Sequence, residues 1–235
     1  MKQVLSLGAG VFFNQIGFFV LAIVMNLSLR YYGNSLDISI FGVFSLIYVF
    51  ATMPFLGLAQ GIQPIIGYNL GAKKYQRVFI SLKKSLIFSI CIGFAIFLVI
   101  ICFPTDVLRL FTKEPMILNE GIFPLRTAML ITPLIGIQIL GYFFFLAINQ
   151  PFKSLFISLS RQAIFTLMFV IIFPPFIGKI GVWVVYPVAD IFSVGIAFIM
   201  TKQEINKIKE KNILMGLLME SKQKELIVMH INLTI

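Results

Sequence analysis

Charge is what this chain has least of, and acidic charge least of all. Only 12% of its residues are charged, against roughly 25% in an ordinary soluble domain, and nine carboxylates stand beside nineteen basic side chains. Histidine occurs once, at His230, and cysteine twice. Transition-metal sites need clusters of His, Cys and carboxylate groups, and His230 has no such company, so no metal and no cofactor are expected. Cys91 and Cys102 fall in one apolar run, about 16 Å apart along a helix, too far for a disulfide. They read as packing residues. Phosphate loops, dinucleotide fingerprints and nucleophile–base constellations are all missing, which argues against an enzyme and against an ATP-driven motor on this chain.

What the chain has in excess is hydrocarbon. Hydrophobic residues make up 59% of it and the mean hydropathy is +0.99, the composition of an integral membrane protein. Six apolar runs of about the roughly 20 residues that cross a bilayer fall at residues 4–29, 38–58, 85–103, 122–148, 155–177 and 181–200. The first is too long for a signal peptide, whose apolar core is about 7 to 15 residues. The expected fold is therefore all-α, one lobe of six transmembrane helices over residues 1–201, followed by a charged tail at 202–235.

The net charge of +10 does not point to nucleic acid, because the basic residues lie in short stretches between apolar runs. They report topology instead. Six spans put both termini on one side, with Lys2, Lys73, Lys74, Arg77, Lys83, Lys84, Lys153, Arg161 and six lysines from Lys202 to Lys224, fourteen of the nineteen. Arg30, Arg109, Lys113, Arg126 and Lys179 lie opposite. Both termini are expected in the cytoplasm, with the protein in the plasma (inner) membrane. Residues 75–85 alternate basic and apolar side chains and read either as an interfacial amphipathic segment or as a plain connector. Residues 104–119 are expected to hold a short surface helix.

Polar groups inside the spans are few, so each one stands out. Asp190 is a carboxylate near the middle of an apolar run, where a charge costs roughly 2.5 to 3.5 kcal/mol, and Trp183, Tyr186 and Ser193 share its helical side. It is either a proton or cation site or a structural acceptor, with Arg161 and Gln162 as candidate partners. Asn14, Gln15 and Gln138 are intramembrane amides that could tie helices together or line a substrate route. Phe12, Phe13, Phe18 and Phe19 are either pocket wall or lipid-facing filler.

Between the second and third spans lies GLAQGIQPIIGYNLGA, residues 57–72. Glycine and proline at this density predict a bent, close-packed segment beside a cavity. Gln60, Gly61, Gln63, Pro64, Gly67, Asn69 and Gly71 are its candidate hinge or gate residues, the glycines allowing close backbone approach.

Together with QILGYFFFLAINQPFKSLFISLSRQAIF at residues 138–165 and GVWVVYPVAD at residues 181–190, that run resembles the second half of the multidrug and toxic compound extrusion (MATE) transporters. The resemblance implies a twelve-helix exporter of two six-helix lobes that rock about a central cavity. It implies export of small organic cations and amphipathic drugs, in exchange for protons or sodium ions. This chain would supply the second lobe, as a fragment or with a separately encoded first lobe or a second copy as partner. Some members carry acidic residues on the first and fourth helices of this lobe, whereas this chain has Asn14, Gln15 and Gln138 there. Asp190 matches the family's Pro-x-Ala-Asp motif, which implies helix packing with a gating role. A lobe of a related lipid or polysaccharide flippase, with more basic residues in its cavity, and a non-transporting membrane partner are the alternatives.

Overall fold

The computed structural model describes the backbone of residues 2–232 and the side chains of residue 12 and residues 15–210. Among the described residues there is helix and turn but no strand. Three long helices come first: α1 (Lys2–Tyr32), α2 (Ser35–Gly71) and α3 (Tyr75–Cys102). The short helices α4 (Pro104–Arg109) and α5 (Pro115–Glu120) follow. Next come α6 (Ile122–Ala128) and α7 (Thr132–Ala147), α8 (Pro151–Leu159), a π-helical turn at Ser160–Phe165, α9 (Thr166–Ile172) and α10 (Pro174–Asn232). Five helical segments are long and apolar enough to cross a bilayer, and the pair α6 and α7 makes a sixth.

The start of α2 is written in local chemistry. Asn34 caps it by accepting from the Asp37 backbone N–H at 3.0 Å, and the Asp37 carboxylate accepts from the Asn34 N–H at 3.0 Å. This reciprocal box satisfies two amides that a helix end leaves free. Lys179 Nζ lies 3.5 Å from the other oxygen of Asp37 and ties this corner to α10.

Helix α2 carries residues 57–71 as its closing turns. It stays one helix through Pro54 and Pro64 as far as Gly71. The reason is packing: Phe55, Ala59, Ile62, Ile66 and Asn69, spaced by three and four, are buried on one side. Ile62 and Ile66 join Leu82, Phe144 and Phe145 in a core that spans α2, α3 and α7, and this outweighs the amide bonds that proline deletes. The turn to α3 takes its sharpness from Lys73, at φ 56°.

Other boundaries also move. The fourth span is broken between Ala128 and Thr132, where α6 and α7 meet at 46°; Pro133, in the first turn of α7, donates no amide and suits a helix restart. Two short helices, not one, occupy the segment after α3. Residues 75–85 are the opening turns of α3, with Val78 and Leu82 buried and Arg77, Lys83 and Lys84 exposed, an amphipathic stretch continuous with the span and not a bare connector. Gly178, at φ 61°, makes the kink at the start of α10. From there the helix continues past residue 201 to Asn232, through the segment read as a charged tail, with Thr201 and Glu204 buried. His230 lies outside the described side chains.

A second core fills the half of the bundle that holds the α1–α2 turn. Trp183 is 1% exposed and sits between Phe41 and Phe44, the latter edge-on at 5.7 Å. Met25, Leu29, Ile40 and Val182 pack around them.

Candidate intramembrane site

Midway along three helices the apolar packing gives way to an ion pair. Arg161 donates through Nε and Nη2 to the two carboxylate oxygens of Asp190 and through Nη1 to the Tyr48 hydroxyl. Its guanidinium carbon also lies 5.0 Å from the Tyr48 ring centroid. At about 1.5 Å of rise per residue, Tyr48 and Arg161 are roughly 15 to 20 Å from Ser35 and Pro151, where their helical segments start, and Asp190 is as far from the Gly178 kink in α10, about half the depth of a ~30 Å hydrocarbon layer. The Arg161 side chain is 11% exposed and that of Asp190 2%.

The π-helical turn sets Arg161 in place. There the Thr166 backbone N–H and hydroxyl both donate to the Arg161 carbonyl, the hydroxyl at 2.5 Å. The five-residue step widens the helix by one residue, a distortion that persists where a side chain must be re-aimed. It brings the adjacent Arg161 and Gln162 onto the inner wall together. Gln162 is 7% exposed, and its Oε1 is buried without a hydrogen-bond partner. A Cβ on Gly17 would stand 3.1 Å from that oxygen, so α1 and the π-helical turn meet closely there.

Beside this cluster lies a cavity of about 260 Å³. Arg161, Gln162 and Tyr48 contribute its polar wall, and Phe18, Phe44 and Tyr186 are among its apolar and aromatic lining. Formal charges at the cluster cancel, one guanidinium against one carboxylate. Such a cavity can take an amphipathic molecule whose apolar body rests on the rings while a polar end meets Tyr48 and Gln162 in its wall; Asp190 stands behind Arg161, outside the lining.

The sequence candidates separate cleanly. Asp190 pairs with Arg161, as the pairing reading had it, but makes no bond to Gln162, and Arg161 lies deep in its span and is not a cytoplasmic loop charge. Ser193 points elsewhere: its hydroxyl donates to the Asp190 backbone carbonyl at 3.1 Å. Gln138 is buried between helices, donating to the Ile157 carbonyl at 3.1 Å, and so ties α7 to α8 away from the cavity. Gln15 is exposed on α1, and the Asn14 side chain lies outside the described residues. Phe18 and Phe19 line the cavity.

The expected hinge in residues 57–72 reads differently in the structure. Gln60, Gly61, Pro64 and Gly71 are exposed, Gln63 and Gly67 half-buried, and an added Cβ on Gly61 or Gly71 would meet nothing within 4 Å. Close approach within the chain is therefore not what those glycines serve. The Asn69 amide bonds back to the Ile65 carbonyl at 2.8 Å, so it latches no neighbouring helix. Glycine does serve close approach at Gly93, where a Cβ would come within 2.7 Å of Pro133 Cα, letting α3 lie against α7.

Two residues that hold this architecture together escaped the sequence reading. Tyr48 is one tyrosine in an apolar run and carries no motif. Glu204, beyond the sixth run, accepts from Lys153 at 2.5 Å and Gln150 at 2.8 Å, tying α10 to the α7–α8 turn.

Comparison with known proteins gives the family and the fold. The family model MatE matches residues 11–179. The chain belongs to the MatE family. A curated relative, the multidrug export protein MepA of Staphylococcus haemolyticus (strain JCSC1435), is 28% identical over 141 residues, which cover 60% of this chain and 30% of MepA. Among solved structures, the MATE multidrug transporter DinF-BH, in complex with a ligand, is similar with a TM-score of 0.75 and 31% identity, covering 86% of this chain and 45% of that one. A MOP superfamily transporter from Pyrococcus furiosus has the same fold, with a TM-score of 0.82 at 20% identity over 88% of this chain and 47% of its own. This MatE chain thus spans half or less of the length of the relatives it matches.

Proposed function

We propose that this chain is the second lobe of a MATE-type multidrug efflux antiporter, lodged in the plasma membrane with both termini cytoplasmic. Small organic cations and amphipathic drugs are its cargo, and protons or sodium ions drive it. The observation that carries the reading is a carboxylate, Asp190, held at mid-bilayer depth beside an aromatic cavity by Arg161, which Tyr48 also holds. Buried intramembrane charges beside a cavity mark substrate and ion routes. A flippase for anionic lipid-linked sugars would want uncompensated basic groups there, whereas Arg161 is matched by Asp190. Sodium binding on the first and fourth helices lacks support, because Gln138 is spent on the Ile157 carbonyl and Gln15 is outside the cavity.

Alternating access needs two bodies around one site, so the partner is a first six-helix lobe or a second copy of this chain. The experiment is co-expression with a matching first lobe in cells lacking their own drug exporters. Ethidium is the probe, because it is a fluorescent organic cation with a flat apolar body that suits an aromatic cavity. Lower ethidium accumulation only when both lobes are present supports the reading; equal accumulation with and without this chain overturns it.

A further inference from the structure

A groove on the outside of the bundle, at the end where α3 begins, combines an apolar trough with a basic rim. It is about 280 Å³ and runs between α3, α7 and α10, floored by Leu82, Leu86, Ile137, Phe198 and Ile205. Almost all of its surface is hydrocarbon, apart from Lys202 at the edge and Thr201, whose hydroxyl is buried without a hydrogen-bond partner. A trough of this composition, opening sideways from a membrane helix bundle, fits an acyl chain.

Its rim selects the headgroup. Lys83 follows Phe79 by four residues and precedes Leu86 by three, so it shares the side of α3 that carries both. Phe79 meets α10 through Lys209, whose Nζ is 5.4 Å from the ring centroid, and Leu86 floors the groove. By that register Lys83 belongs to the α10-facing side of α3, while Lys202 lines the groove itself and lies 6.0 Å above the Phe198 ring. Both ammonium groups are exposed, as is Lys209, and none of the three has a carboxylate within ion-pair reach among the described residues. The nearby acid Glu204 is taken by Lys153 and Gln150; Glu210 is exposed beyond Lys209.

We infer that this groove is a binding site for one anionic phospholipid, its acyl chain lying between α3 and α10 and its phosphate held by Lys83 and Lys202. Charge complementarity decides the occupant: a zwitterionic lipid gains the same trough but leaves the lysines facing no net anion. The inference does not depend on the transport reading, since occupancy is measured on the isolated chain.

The test is native mass spectrometry and lipid titration of the purified chain, with phosphatidylglycerol against phosphatidylcholine of matched acyl chains. Wild type should retain phosphatidylglycerol in a one-to-one complex with at least tenfold preference. Each juxtamembrane lysine contributes about a factor of five, so Lys83→Gln/Lys202→Gln should weaken that binding by roughly thirtyfold. Lys73→Gln/Lys74→Gln removes as much charge from the α2–α3 turn, away from the groove, and should change it less than about threefold. Leu86→Trp fills the trough without touching charge and should also reduce retention, with thermal unfolding of each variant confirming a folded chain. Equal losses in the two lysine pairs would mean diffuse surface attraction and overturn the site, as would indifference to headgroup or undiminished binding in Lys83→Gln/Lys202→Gln.

Discussion

Replacing Asp190 with leucine should be among the most destabilising single changes in the chain. The Arg161 guanidinium is 11% exposed and would keep only the neutral Tyr48 hydroxyl as a partner. Breaking a buried pair from one side leaves an uncompensated charge and costs about 3 to 5 kcal/mol. Arg161→Met should cost as much, because it strands a carboxylate that is 2% exposed. Removing both charges together leaves an apolar contact of similar volume, which is often close to neutral. The double variant Arg161→Met/Asp190→Leu should thus be more stable than either single variant, with a coupling energy of at least about 3 kcal/mol. Equilibrium unfolding of the four proteins in mixed detergent micelles measures this directly. If the double variant loses the sum of the two single losses to within about 0.5 kcal/mol, the two residues do not act as a pair and the site as described is wrong.

Four further variants can be checked by the same unfolding assay. Tyr48→Phe removes one acceptor from Arg161 and should cost about 1.5 to 3 kcal/mol, as for hydrogen bonds to charged groups, while leaving the ring over the guanidinium. Gly93→Ala pushes a methyl group to within 2.7 Å of the Pro133 backbone and should cost about 1 to 3 kcal/mol; Gly61→Ala meets open space inside α2 and should cost nothing, gaining up to about 1 kcal/mol. Glu204→Gln should lose up to about 1 kcal/mol in low salt and less in salt of about 1 M, since the Lys153 side chain is 39% exposed and screened.

The parts of this architecture that depend on composition and count were open to reading in the chain. An apolar run near 20 residues has few physical options other than a spanning helix, and a solitary carboxylate such as Asp190 must find a partner. Arg161 and Gln162, early in the fifth apolar run, were its candidate partners, and Arg161 is the one that pairs. The depth of Arg161 was not legible, because the π-helical turn that carries it inward has no local composition signal. Tyr48 was hidden among 26 phenylalanines and seven tyrosines: only the third dimension picks out the hydroxyl that meets a guanidinium. Glycine misled for the same reason. Gly57, Gly61 and Gly71 form the denser motif, yet the glycine that admits another backbone is Gly93, and contact across helices is not a property of one segment. Helix ends moved because hydropathy marks the hydrocarbon slab, while α2 and α10 continue through caps and packing on either side of it. The Asn34–Asp37 capping box, by contrast, was present in the residues to be read.

The central claim is that the cavity beside Arg161 and Asp190 lies on a transport route. Its most direct measurement is ethidium flux in proteoliposomes that hold the assembled two-lobe protein, driven by a proton or sodium gradient, with wild type compared against Val49→Trp. Val49 is 49% exposed and lines the cavity without touching the ion pair, so an indole there should block the space and leave the fold intact. Gradient-driven ethidium flux in wild type and at least a tenfold loss in Val49→Trp, about 1.4 kcal/mol or more in the transport barrier, is the result the account predicts. Equal flux in the two, with equal amounts of folded protein, would contradict it.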